Sequence, residues 1–436
     1  MLNQPRIFDE IVLYFQSILK DLPDKRIGKN KHYQMSDAAL SAFSVFFTQS
    51  PSFLAHQKSM TQKKGHNNAQ SLFGIHQIPT DNHIRDLLDD VEPSVIFPVF
   101  YEILRALEQG KNLEAFRSWE NNLLIALDGT EYFSSNQIHC QNCSSRTFRN
   151  GTTQYFHAVV TPVIVCPGNS KVIPLIPEFV VPQDGHNKQD CENAAAKRWI
   201  QKYAEQYAYQ GITVLGDDLY CHQPFCELLL KQQLNFILVC QPKSHKTLYE
   251  WLEGMPLDTF SNKTWKGKVY EIYNYRYVNQ IPLRDGEDAL FVNWCELTIT
   301  RDDGTLIYKN NFVTNHQLTD INVEAIVSSG RTRWKVENEN NNTLKIKGYN
   351  LEHNFGHGKN HLSSLLAAFN ILAFLFHTLL DLTSEKYQFI RQHLPTRKTF
   401  FDDLRALTRY LYFDSWENLL DFMIQGLELE FHPNTS

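Results

Sequence analysis

Three acids stand out for what precedes them. Leu123-Leu124-Ile125-Ala126-Leu127 runs unbroken into Asp128-Gly129-Thr130, and Gly211-Ile212-Thr213-Val214-Leu215-Gly216 runs into Asp217-Asp218. Short continuous apolar runs of this kind read as strands buried on both faces. A carboxylate at such a point sits where a central strand leaves the core. The third acid belongs to Arg331-Thr332-Arg333-Trp334-Lys335-Val336-Glu337. On a helix Arg333 and Glu337 share a face, and Trp334 and Val336 pack inward. Each acid alone has a plainer reading, as a turn-starting Asp or as half of a surface ion pair. Three converging carboxylates need a reason, because at about 4 Å and an effective dielectric of about 20 each like-charge pair costs on the order of 4 kcal/mol. Hard divalent cations remove that cost, and Mg²⁺ is the natural candidate for oxygen donors. Two such ions about 3.5–4 Å apart activate an attacking oxygen and stabilise the leaving oxygen of an in-line displacement at phosphorus.

Elements must exist to carry these acids. Residues 1–120 read mostly helical, with periodic apolar positions through Ile7-Phe8-x2-Ile11-Val12-x2-Phe15, through 37–47 and from Pro93 to Leu107. From 121 the texture turns to strands. Leu123 to Asp128, Tyr155 to Val165 and Lys171 to Val181 predict three consecutive strands, the last two separated by the turn residues Cys166-Pro167-Gly168-Asn169. A helix over 187–209, a strand at Ile212 to Leu215, a helix over 224–233 and a strand over 235–240 complete β-β-β-α-β-α-β, a mixed sheet with helices on its faces. Residues from about 245 to 318 are aromatic and strand-like, with Asp302-Asp303-Gly304 as a hairpin turn, and read as an all-β insertion. Helix returns over 320–348, and Leu362 to Leu382 reads as a buried helix rather than a membrane span, since Ser363, Ser364, Asn370, His377 and Asp381 interrupt it. The expected organisation is a helical N-terminal region over 1–120, an α/β core over 121–244 and 319–384 split by an insertion over 245–318, and a helical region over 385–436.

Composition bounds the partners. The 436 residues are 42% hydrophobic and 21% charged, those of a soluble globular chain of two or three domains. A net charge of −6 argues against wholesale nucleic-acid binding, but residues 1–70 hold nine Lys/Arg against five Asp/Glu and 71–120 hold four against nine. The basic loops at 25–32 and at Lys58, Lys63 and Lys64 therefore read either as solvated surface or as phosphate contacts. Eight cysteines with no N-terminal basic-then-apolar signal argue for reduced thiols in a cytoplasm.

These residues together resemble the bacterial insertion-sequence transposases that carry an Asp-Asp-Glu triad on a ribonuclease H-like core. The likeness is to the group with a β-strand insertion before the Glu and a Tyr-x2-Arg-x3-Glu-x6-Lys signature, and it covers about residues 120–380. Asp128 in Leu-Asp-Gly-Thr matches the first acid. Asp217, three residues before Tyr220, matches the second better than Asp218. Arg333-x3-Glu337 matches the Arg and the third acid, whereas Glu339 has no Arg four positions before it. Two positions depart: the Tyr would fall at Gly330 and the Lys at Leu344, next to Lys345. In a regular helix the residue eight after Glu337 is about 80° off its face, which leaves Lys345 and Lys347 as rivals for a phosphate. The resemblance implies a five-stranded ribonuclease H-like sheet, a helical N-terminal DNA-binding domain, and two Mg²⁺ or Mn²⁺ ions on Asp128, Asp217 and Glu337. It implies cleavage at the terminal inverted repeats of an element and attack of the freed 3′-hydroxyl on target DNA, by a homodimer on paired ends, in a bacterial cytoplasm at the nucleoid and away from membranes. Arg333 would hold a phosphate. Trp265 and Trp294 of the insertion would either stack on an unpaired base or pack the core. A catalytically silent DNA-binding derivative and a metal-dependent nuclease without strand transfer are the alternatives.

Cys140-x2-Cys143 is half of a zinc site. His186 or Cys191 would complete it from nearby in the fold; the other reading is two free thiols in a loop. The Gly348 to Gly358 segment, with His353 and His357, has no chemical role that spacing assigns.

Overall fold

The structure, a computed structural model, describes residues 5–27, 31–182 and 191–432. Thirteen strands are described: β1 Leu123–Ala126, β2 Gly129–Ser135, β3 Ser144–Thr147, β4 Thr153–Val160, β5 Val163–Cys166, β6 Asn169–Pro174, β7 Glu178–Val180, β8 Ile212–Gly216, β9 Asn235–Val239, β10 Asp258–Trp265, β11 Tyr270–Pro282, β12 Phe291–Arg301 and β13 Leu306–Thr314. Nine of them form one sheet in the order β10-β11-β12-β13-β9-β8-β1-β5-β6. Its centre is parallel, β8 lying between β1 and β9; β5 and β6 follow antiparallel on one side and β13 on the other. The strands β1 and β8 are buried along their whole length, which is why they read as unbroken apolar runs.

The molecule is therefore mixed α/β, as the alternation predicts, but two expected strands are each two strands in different sheets. Tyr155 to Val165 breaks at Thr161-Pro162, and Lys171 to Val181 breaks between Pro174 and Glu178. Pro162 has no N–H to give to a ladder, and the backbone N–H of Thr161 turns aside to the carbonyl of Asp128 at 2.9 Å. The released pieces β4 and β7 join β2 and β3 in a small second sheet, with β4 between β2 and β3 and β7 paired to β4. The insertion is likewise not a separate sheet. Its antiparallel meander continues the central sheet through pairing of β13 with β9, and the Asp302-Asp303-Gly304 turn joins β12 to β13 as expected.

Helices cover the sheet. Leu362–Thr383 is long and apolar enough to cross a membrane, yet 89% of its apolar window is buried in the protein. It is a core helix, packed on Met35–Phe47, on Pro5–Lys20 and on β6. Phe8, Phe15, Phe43, Phe369 and Phe376 meet at centroid distances of 4.9–6.3 Å in tilted and edge-on pairs, each worth about 0.5–1.5 kcal/mol beyond its buried area. One contiguous apolar core runs from Ile7 to Ile424, so the N-terminal helices are built onto the α/β unit.

After β13 the chain forms the helix Val323–Arg331, a π-helical turn at Val336–Asn341 and a short helix Asn342–Ile346. Gly330 lies where that first helix presses on the sheet: a Cβ there would stand 2.8 Å from Ile237 Cγ2 and 3.0 Å from Phe312 Cδ1. No tyrosine fits at this position, which accounts for the first departure from the signature.

Candidate acidic site and a neighbouring Cys/His cluster

Register brings the first two acids together. Ala126 on β1 stands opposite Leu215 on the parallel neighbour β8, and Leu127 N donates to Leu215 O at 2.9 Å. Asp128 and Asp217, two residues further on each strand, therefore leave the sheet side by side. Asp217 Oδ1 accepts from Leu219 N at 2.9 Å, closing a tight turn. Asp218 faces the other way: its carboxylate accepts from Gln241 N at 2.7 Å and from Ser244 Oγ, and it lies 3.4 Å from His245 Nε2. Its oxygens are engaged in holding the loop after β9.

The charges of Arg333 and Glu337 both reach Asp128. The segment that carries them is fixed by Lys335, a buried residue whose ammonium donates to the carbonyls of Cys166 and Asn169 in the β5–β6 turn. Val336 is buried as expected, but Trp334 is 45% exposed and does not pack inward. A π turn follows it. An i→i+5 turn takes one more residue than an α turn, so side chains beyond it are displaced by one position along the helix. Leu344 is buried, and Lys345, eight after Glu337, takes the angular place that the seventh residue holds in a regular helix. Lys345 pairs with Glu352 at 2.8 Å, while Lys347 lies 3.9 Å from Glu339. Lys347 also lines a cavity of about 940 Å³ with Arg397, Arg405 and Arg409, whose wall includes Asp402 but not Asp128, Asp217 or Glu337.

Two groups that sequence reasoning missed, Asn341 and Glu192, flank Asp128. Asn341, in the π turn, donates from Nδ2 to Asp128 Oδ2 at 2.8 Å; its own carbonyl accepts from Thr161 Oγ1 at 2.7 Å and Asn340 Nδ2 at 2.9 Å, which fixes the amide's orientation. Glu192, at the start of the helix Glu192–Ala208, accepts on Oε1 from Gly129 N at 3.0 Å and from Tyr220 O–H at 2.6 Å. Gly129 permits this approach, since a Cβ there would come within 2.3 Å of Glu192 Oε2. The buried Tyr220 thus has a task, which is to hold a fourth acid. Burial pushes the Asp128 carboxyl up from its ordinary 3.8 to about 7; Glu192 adds to this, Arg333 opposes it, and Asp217 and Glu337 add further. Four carboxylates against one guanidinium leave an excess of negative charge that suits a hard cation with oxygen ligands. Glu192, Asp217 and Glu337 are each within electrostatic reach of Asp128, but the acids are not drawn to a single point: among the described residues, the sets of three or more donor atoms within 4.8 Å are Cys140/Cys143/His157/His357 and Cys221/Cys240/His245. Glu337 stands exposed on its turn.

The remaining expected residues divide. Trp265, at the end of β10, is 54% exposed beside Tyr270. Trp294 is 1% exposed, with its indole N–H on Tyr249 Oη at 3.3 Å, so its faces are closed to a base and its role is core packing. Cys140 and Cys143 do meet two histidines, but not by the expected route. His157 comes from β4 and His357 from the segment before the long helix, while Cys191 is exposed and outside the cluster, and His186 lies outside the described residues. Neither spacing nor motif links His157 to His357.

No family model matches the chain, and no curated protein matches it. Among solved structures it is similar to a chain of the "Cryo-EM structure of piggyBac transposase synaptic complex with hairpin DNA", at 10% identity and a TM-score of 0.38, over 99% of this chain and 84% of that one. A likeness at that level carries no argument about chemistry.

Proposed function

We propose that the chain is a DNA transposase of the Asp-Asp-Glu type, acting through Asp128, Asp217 and Glu337 on a ribonuclease H-like core. The observation that carries this reading is the register of β1 on β8, which delivers Asp128 and Asp217 side by side, with the charge of Glu337 felt at Asp128. The order β6-β5-β1-β8-β9, antiparallel then parallel, supports it as the strand arrangement that such a core requires. The three acids would hold Mg²⁺ or Mn²⁺, which supplies Lewis-acid activation of the attacking oxygen and neutralises charge at the leaving oxygen. The protein's own groups do the rest. Asn341 aims the Asp128 carboxylate, and Tyr220 with Gly129 holds Glu192 against it. Arg333 offers a guanidinium to a phosphate beside the scissile bond, Lys345 a second cation from the same helix face, and Trp265 an exposed ring for an unpaired base. The substrate is DNA carrying the terminal inverted repeats of an element, and a homodimer pairs two ends.

The test is incubation of the full chain with Mg²⁺ and duplex DNA from the borders of its own reading frame. Nicked ends and joined products are expected. Asp128→Asn, Asp217→Asn and Glu337→Gln should each slow cleavage by roughly 10²–10³-fold or more, the loss that follows removal of one electrostatic stabiliser. Undiminished cleavage by Asp128→Asn or Glu337→Gln rejects the assignment. Cleavage without joining favours a nuclease, and binding without cleavage a silent derivative.

A further inference from the structure

The geometry points to a structural zinc site formed by Cys140, Cys143, His157 and His357. The argument is metric. Zinc bonds of about 2.3 Å to sulfur and about 2.0–2.1 Å to nitrogen give tetrahedral edges of about 3.8 Å for S···S, about 3.3 Å for N···N and about 3.6 Å for S···N. The cluster has Cys140 Sγ to Cys143 Sγ at 3.8 Å and His157 Nε2 to His357 Nε2 at 3.2 Å. Its S···N edges are 3.7 Å for Cys140 to His157, 3.4 Å for Cys143 to His157 and 3.4 Å for Cys143 to His357. Five edges of one tetrahedron thus have the lengths that a single zinc ion would set. A disulfide does not account for the pair, since its sulfurs would be about 2.05 Å apart.

The surroundings agree with that occupant. His357 Nδ1 lies 2.9 Å from the carbonyl of Gly358. A carbonyl only accepts, so Nδ1 carries the proton and Nε2 turns a lone pair into the cluster, the tautomer that a metal takes. Cys140 N–H donates to Cys143 Sγ at 3.4 Å, as a backbone amide does toward a thiolate. Phe133 packs on His357 with centroids 4.4 Å apart, and Tyr132 stacks on His157 at 5.6 Å, so the two imidazoles are buried.

Position gives the site its purpose. The cysteines lie in the β2–β3 loop, and β2 begins at Gly129, directly after Asp128. His357 lies in the segment that runs from the Glu337 helix to the long core helix. That segment is held elsewhere by Asp89, whose carboxylate accepts from Lys359 N, Asn360 N and Leu362 N, and by Arg85 Nε on Phe355 O. A zinc ion would tie the sheet beginning at the first acid to the chain that follows the third, beside the hydrogen bond that Asn142 Nδ2 donates to Asn360 O at 2.7 Å. This proposal stands on other residues than the acidic site, so either can fail without the other.

Zinc content of the full chain, purified without a histidine tag, should be about one ion per chain, lost in Cys143→Ser and His357→Gln and kept in Cys191→Ser. Cys240→Ser is a further control for the second Cys/His group and should leave the zinc in place. Because a ligand variant can fail to fold, the wild-type chain supplies the second measurement: zinc-edge X-ray absorption with two sulfur and two nitrogen scatterers, and cobalt exchange giving the intense visible bands of a tetrahedral thiolate site. A chain that holds no zinc and takes up no cobalt overturns the proposal. So does full zinc in either ligand variant, zinc lost only in Cys240→Ser, or an all-oxygen shell.

Discussion

Asp128→Asn should make the protein more stable at neutral pH, an unusual result for a half-buried polar substitution at the end of a central strand. The native Asp128 carboxyl titrates near 7 instead of 3.8, because burial and then Glu192, with Asp217 and Glu337, oppose its charge more than Arg333 favours it. The folded chain thus holds this proton more tightly than the unfolded chain does. Between about pH 4 and 7 the native state binds more protons, so stability falls as the pH rises. A difference of about 3 in pKa amounts to about 4 kcal/mol from this one group, fully expressed above pH 7. An amide keeps an acceptor for Asn341 Nδ2, and it carries no charge. Urea unfolding of both proteins at pH 4, 6 and 8, without added magnesium, isolates the group as a difference. The curves should be close at pH 4, and at pH 8 the variant should lead by up to about 4 kcal/mol. Added Mg²⁺ should close that gap by stabilising only the wild type. Parallel pH profiles, or a variant less stable at pH 8, would refute the account of the site as an uncompensated acid cluster.

Glu192→Gln keeps an oxygen for Gly129 N and Tyr220 O–H and removes the second-largest cause of the Asp128 shift, so the fall in stability between pH 4 and 7 should become shallower without vanishing; an unchanged slope counts against Glu192. Trp294→Ala should cost about 3–5 kcal/mol of stability and Trp265→Ala almost none, while anisotropy with single-stranded DNA should weaken by about 1–3 kcal/mol only for Trp265→Ala. Equal stability losses would contradict the burial difference. Gly330→Tyr, which restores the signature residue, should lower the melting temperature rather than raise activity, since its Cβ would press on Ile237 and Phe312; overpacking of this kind costs about 1–3 kcal/mol or more, and an unchanged melting temperature would remove the packing explanation.

The parts of the site that lie on β1 and β8 were legible because strands buried on both faces must be written as continuous apolar runs, and an acid ending such a run is conspicuous. What lies beyond them was not. The run from Tyr155 to Val165 gives no sign of belonging to two sheets except Pro162, and β2 and β3 are too polar and half-exposed to register as strands. Glu192 looks like any acid in a first helical turn, where the dipole favours one. The π turn has no signature in composition, yet it shifts the positions that follow it, Lys345 among them. Asn341 left a faint trace, since a run of asparagines inside a helical pattern is costly unless some are buried and bonded. The four Cys/His donors were half visible: Cys-x2-Cys is a local pattern, whereas His157 and His357 are 200 residues apart and meet only through tertiary packing.

The pairing of β13 with β9 has a consequence during synthesis. The strand β9 is complete at Val239, but its partner ends at Thr314. At about 5–20 residues per second a ribosome takes several seconds to make the intervening stretch of about 75 residues. Throughout that interval the growing chain carries a raw apolar edge, Phe236-Ile237-Leu238, open to the same edge on a neighbouring nascent copy. Slower translation through 245–305 should therefore raise co-translational aggregation, and a chaperone bound to that edge would be displaced only when Phe312 and Val313 arrive to zip it shut.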